Sequence, residues 1–124
     1  IHSRDAIELT YQILSQNKYR GIIHCYSGSL EMANKFIKLG YLLGIGGVVT
    51  FKNTNLKEVV KNIPLEVIVT ETDGPYLAPT PFRGKLNKPE YIRLVVDEIA
   101  NLKEISPLEV EKQIDKNVYN LLGI

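Results

Sequence analysis

Cysteine is nearly absent from this 124-residue sequence, long apolar runs are missing, and neither sign of charge prevails. The single cysteine, Cys25, excludes an intrachain disulfide and with it a disulfide-stapled miniprotein. It agrees with a reducing compartment, so a cytoplasmic location is the expectation. The longest apolar stretch, Tyr41 to Val49, is nine residues with three glycines among them. A membrane-spanning helix needs roughly 20 apolar residues, so no membrane partner is expected. Lys+Arg 15 against Asp+Glu 14 gives a formal charge of +1. That balance excludes a strongly acidic or basic tail protein, and any nucleic-acid partner must be argued from local sites. What remains is ordinary globular composition, 44% apolar with nine Gly and six Pro, and about one domain's worth of chain.

Short β-rich runs alternate with helical ones. Ile7, Thr10, Tyr11 and Leu14 share one face of a helix over 5–16. Ile22 to Tyr26 reads as a buried strand broken by Ser27-Gly28-Ser29. Ser29 is placed to cap a helix through Leu39, with Met32, Ala33, Phe36 and Ile37 as its apolar face and Gly40 as its stop. Tyr41 to Ile45 is a second strand, and a short helix around Leu56, Val59 and Val60 ends near Pro64. Glu66 to Thr70 is a further strand, which delivers Glu71-Thr72-Asp73 into a long Pro- and Gly-rich loop from Gly74 to Asn87. Two helices close the chain. The first opens at Pro89 and buries Ile92, Val95, Val96 and Ile99. The second begins Ser106-Pro107-Leu108-Glu109, a capping box with Pro at its first position, and carries a seam of Val110, Ile114, Val118, Leu121 and Leu122. No repeat, linker or low-complexity tract interrupts the sequence, so residues 1–124 read as one structural unit.

Alternating strands and helices imply an α/β fold with parallel strands, either an open doubly wound sheet or a closed (β/α)8 barrel. In both, ligands bind at the carboxyl ends of the strands. Both histidines of the chain, His2 and His24, and the acidic pair Glu71 and Asp73 fall at such ends. Two imidazoles and a carboxylate converging on one face suit a divalent cation. Cys25, next to His24, alternates to the other side of its strand and reads as a packing residue. Gly44-x-Gly46-Gly47 has the wrong spacing for a dinucleotide-binding loop and reads better as backbone room beside a bound group. Arg83-Gly84-Lys85, two cations around a flexible glycine, suits contact with phosphate.

Five strings occur in order: His2-Ser3-Arg4-Asp5-Ala6, His24-Cys25-Tyr26-Ser27-Gly28-Ser29, Gly46-Gly47-x-x-Thr50-Phe51-Lys52, Glu71-Thr72-Asp73-Gly74-Pro75-Tyr76-Leu77-Ala78-Pro79, and Arg83-Gly84-Lys85-x-Asn87-x-Pro89. Together they resemble the C-terminal half of the TatD-type metal-dependent deoxyribonucleases of the amidohydrolase superfamily, over essentially the whole chain. The resemblance implies the C-terminal half of a TIM-type (β/α)8 barrel with two closing helices. It implies divalent metal ions (Mg, Mn or Zn) as cofactors and DNA as the substrate, cleaved at phosphodiester bonds, in several members as a 3′→5′ exonuclease. By motif match His2, His24 and Asp73 are metal ligands on the fifth, sixth and eighth strands. Asp73 and Glu71 are the catalytic carboxylates, Glu71 in a weaker, metal-associated role. Arg83 and Lys85 hold the flanking phosphate.

The sequence departs from that family in one large respect. The His-x-His pair of the family's first strand and a glutamate of a middle strand are missing, because His2 and His24 are the only histidines and lie far apart. The expectation is therefore a part of a longer protein, with the N-terminal half of the same protein as partner and little activity in this chain alone. Two other classes stay open at this point: a metal-dependent amidohydrolase acting on an amide or ester, and a non-catalytic half barrel that assembles with a complementary chain.

Overall fold

Ile, Leu and Val cluster in three short runs, and in the computed structural model, which describes residues 1–124, those runs are the strands. They are β1 (Ile22–Ile23), β2 (Leu42–Ile45) and β3 (Ile68–Thr70). All pairing is parallel, in the order β1-β2-β3, with Ile23 beside Leu43 and Leu43 beside Ile68. A fourth strand position lies outside β1. There the Ile1 amino group donates to the Ile22 carbonyl, His24 N–H donates to the Ile1 carbonyl, and His2 bridges His24 in parallel. The strands therefore stand side by side in chain order.

The helices between them are α1 (Ile7–Ser15), α2 (Leu30–Lys38), α3 (Leu56–Asn62), α4 (Ile92–Lys103) and α5 (Pro107–Leu122). Side chains alternate across a strand, so Ile23, Leu43, Ile45 and Ile68 share one face of the sheet. All four are fully buried in a single cluster with Phe36 of α2, Val59 and Val60 of α3, Ile99 of α4 and Val110 of α5. The other face carries Ile22, Leu42 and Val69, none of which joins that cluster. Helices on one face, with strands in sequential order, are the signature of a barrel wall. A doubly wound sheet would have helices on both faces and a reversal of strand order. The alternative left open by the sequence is thereby decided in favour of the TIM-type half barrel.

Local chemistry places the ends. Ser29 Oγ accepts the Met32 N–H and Ser106 Oγ accepts the Glu109 N–H, both as expected caps. Gly40 follows α2 with φ +93°, a left-handed stop that glycine adopts without strain. Three expectations need correction. The strand expected over 66–70 is only Ile68–Thr70, because Leu65–Val67 winds a 3-10 turn off Pro64. The helix expected from Pro89 begins with a 3-10 turn, Pro89–Tyr91, before α4. On α5, Leu122 is exposed, and the buried seam includes Asn117 instead. Asn117 Nδ2 donates to the carbonyls of Leu65 and Ile68. It satisfies the backbone where the 3-10 turn meets β3, which an apolar residue could not do. No helix is long and apolar enough to cross a membrane.

Candidate metal centre

The strands deliver their chemistry one to three residues beyond their ends. β1 stops at Ile23 because Cys25 takes φ +51° and turns the chain, leaving His24 at the rim. β3 continues its pairing for one more bond, Glu71 N–H to the Ile45 carbonyl at 3.0 Å, so Glu71 lies on the face opposite the helices. Asp73 sits at φ +54° in a turn closed by Tyr76 N–H on the Asp73 carbonyl. The turn is held from across the loop. Buried Asn87 donates through Nδ2 to the carbonyls of Thr72 at 2.7 Å and Tyr76 at 2.8 Å.

The three strand ends converge. His24 Nδ1 lies 3.1 Å from Glu71 Oε2, and His24 Nε2 lies 3.1 Å from Asp73 Oδ1. The His2 ring is 5.6 Å from that of His24, centroid to centroid. His2, His24 and Asp73 line one cavity of about 160 Å³. Gly44 makes the arrangement possible: a Cβ there would run into the Glu71 carboxylate, which crosses over β2 to reach His24. The room foreseen around Gly44 to Gly47 is thus taken by the protein itself. Gly44 admits Glu71, and Gly47 admits the backbone of Leu77 to Pro79 from the loop after Asp73.

Two readings of the sequence are altered. Cys25 does not turn away, because its positive φ breaks the alternation of the strand. It lines the cavity, with its Sγ, a His24 ring nitrogen and an Asp73 oxygen all within 4.8 Å of one another. Burial, then the charges of Glu71 and Asp73, push its thiol up to about 12, so at neutral pH it is a protonated thiol and not a nucleophile. Arg83 and Lys85 do not line this cavity. They border a neighbouring depression, with the Arg83 guanidinium 3.8 Å from the centre of the Phe51 ring. The cation that does line the cavity is Arg4. Neither Arg4 nor Asn87 is marked as functional by the sequence alone. An exposed Arg two places from a His carries no signal by itself, and an Asn in a loop reads as a turn residue.

Comparison with known proteins shows the family. The family model described as "TatD related DNase" matches residues 1–123. The chain belongs to the TatD-related DNase family. It is 44% identical over 128 residues to "Uncharacterized metal-dependent hydrolase YabD" of Bacillus subtilis, covering all of this chain and 50% of that protein. It is 37% identical to the similarly described YcfH of Escherichia coli K12, covering all of this chain and 48% of that one. Among solved structures, the TatD homologue YjjV of E. coli superposes with a TM-score of 0.93 at 29% identity, over 99% of this chain and 49% of YjjV. The chain spans about half the length of the curated relatives it matches.

The TatD chain's own residues fit a divalent cation. A neutral imidazole has one N–H, yet both ring nitrogens of His24 face carboxylate oxygens. A cation between Nε2 and the Asp73 carboxylate gives that nitrogen a partner while Nδ1–H donates to Glu71. Two ligand atoms each about 2.1 Å from one ion lie about 3.0 Å apart at a right angle and about 3.4 Å apart at the tetrahedral angle. The Nε2–Oδ1 distance of 3.1 Å falls within that span. Glu71 then accepts the remaining N–H at Nδ1, the carboxylate–histidine arrangement that fixes a metal-bound ring. Its other oxygen, Oε1, is buried without a hydrogen-bond partner. His24 and Asp73 bring nitrogen and oxygen donors, suited to Mg, Mn or Zn, and the Cys25 thiol stands beside them.

Proposed function

We propose that this chain forms one half of a metal-dependent deoxyribonuclease and contributes to its centre two imidazoles and a carboxylate. The observation that carries the reading is His24 held between two carboxylates at 3.1 Å in a cavity that also receives His2 and Arg4. A divalent cation bound there supplies acidity to a water and draws charge from a phosphoryl oxygen. His24 through Nε2, Asp73 through Oδ1 and the imidazole of His2 would hold it. Glu71 fixes the His24 ring by accepting from Nδ1. Asp73 Oδ2 makes no hydrogen bond within the chain, so it is free to take a proton from the attacking water. As the water oxygen bonds to phosphorus, the ester P–O bond breaks, the proton stays at Oδ2 until it is lost to solvent, and the leaving oxygen on the opposite side of phosphorus takes its proton from a solvent water. Arg4 offsets the negative charge that grows on the phosphoryl oxygens.

The remaining strands would come from the N-terminal half of the same protein. The part-exposed Ile22 and Leu42 on the face away from the helices and the unpaired outer edge of β3 support this. The 124-residue chain alone is expected to be inactive. The deciding experiment uses the protein that carries both halves, with single-stranded DNA and with an amide and a carboxyl ester as competitors. Cleavage of DNA with Mg²⁺ or Mn²⁺, abolished by EDTA and steeply reduced by salt, is the expected result. Turnover of the amide or ester with no cleavage of DNA would assign the site to the other chemistry.

A further inference from the structure

The part of the cavity this chain builds is small. Its volume of about 160 Å³ is below the roughly 300 Å³ at which small-molecule pockets begin. A phosphate group fits in the part that this chain builds. A second depression adjoins the cavity, and Leu77 lines both. Its other walls include Phe51, Tyr76, Arg83 and Lys85. Three features distinguish it from ordinary loop surface. The Tyr76 ring is 71% exposed, yet its backbone is tied down on both sides, by its own N–H to the Asp73 carbonyl and by Asn87 Nδ2 to its carbonyl. The Arg83 guanidinium lies against the Phe51 ring and has neither a carboxylate nor a hydrogen-bond partner in the chain. The loop that carries Arg83 is braced by Phe82 stacked on Tyr91, 4.3 Å apart and 3° from parallel.

We infer that this depression is a nucleotide subsite, which takes the residue next to the bond being cleaved in a single-stranded nucleic acid. Tyr76, anchored through its backbone, offers an exposed aromatic face to the base. Arg83 and Lys85 take the next phosphate, Arg83 with its fork held in orientation by Phe51. The inference rests on the phosphodiester reading above and adds what that reading lacks, a reason for the site to favour a polymer over a simple diester. A splayed-out base stacks on an aromatic ring whatever its identity, so the subsite gives affinity with little sequence preference.

The test compares the metal-loaded protein carrying both halves, as wild type and as Tyr76→Ala, Tyr76→Phe and Arg83→Ala. Two substrates are used, tetrathymidylate and bis(p-nitrophenyl) phosphate, which has neither a base nor a second phosphate. Tyr76→Ala is expected to lower the kcat/KM ratio of tetrathymidylate to the aryl diester by about 5- to 150-fold, chiefly through KM, and Tyr76→Phe to restore it. Arg83→Ala is expected to lower the same ratio and to flatten the salt dependence of oligonucleotide binding by about 0.7 in log–log slope. Equal losses on both substrates in Tyr76→Ala, or no loss on either, would overturn the subsite. Binding of phosphorothioate tetrathymidylate is measured in parallel. Weaker binding by Tyr76→Ala supports the subsite even if the wild type cleaves neither diester, a result that would instead refute the phosphodiester reading.

Discussion

Replacing Asp73 by alanine is expected to lower phosphodiester turnover by about 10²–10⁴-fold, the range attached to losing a positioned acid–base group. Asp73 has two tasks, one at each oxygen. Oδ1 faces His24 Nε2 at 3.1 Å, and Oδ2 is free to carry the proton. Removing the side chain ends both. Alanine also introduces a backbone cost. Asp73 sits at φ +54°, where a Cβ costs roughly 1–2 kcal/mol and Asn or Asp is tolerated better than other residues. Asp73→Asn is therefore the companion variant, because it keeps the shape and the left-handed backbone while losing the charge. The two are expected to lose kcat to a similar degree, with circular dichroism of Asp73→Asn unchanged. Steady-state kinetics check this, and near wild-type kcat in Asp73→Asn would remove Asp73 from the proton path.

Glu71→Gln is expected to weaken metal affinity by about 10–100-fold, the usual cost of losing the carboxylate that orients a ligating imidazole. Glutamine keeps the length of the side chain and can still accept from His24 Nδ1 through its amide oxygen, so the loss reads the charge more than the shape. Gly44→Ala should reproduce much of the effect without touching a titratable group, because the new Cβ occupies the space of the Glu71 carboxylate. Since both changes act on one contact, the double variant should lose much less than the sum of the two free energies. Competition with a chromophoric chelator measures all three. Full additivity would mean that Gly44 and Glu71 act separately.

Much of this architecture is legible in the residues. Ser29 and Ser106 announce helix starts because a side-chain oxygen before an apolar run has a local partner, and both caps form. The convergence of His2, His24 and Asp73 follows from parallel strands, which bring all their carboxyl ends to one rim. What escaped the sequence depends on single dihedrals or on distant backbone. Cys25 was assigned to packing by alternation, and one positive φ turns it into the cavity. Asn117 joins the buried side of α5 although no apolar pattern marks it, because its partners are carbonyls 52 and 49 residues away. Arg83 and Lys85 follow Asp73 closely in the chain, yet the fold of the loop puts them beside the cavity rather than in it.

The central claim is that a cation joins His24 to Asp73. Anomalous scattering from crystals of the Mn²⁺-loaded protein tests it most directly. The account predicts a manganese peak in the cavity, about 2.0–2.3 Å from both His24 Nε2 and Asp73 Oδ1, with Glu71 still on Nδ1. A fully loaded protein whose manganese lies elsewhere, with His24 and Asp73 in direct hydrogen-bond contact, would contradict it.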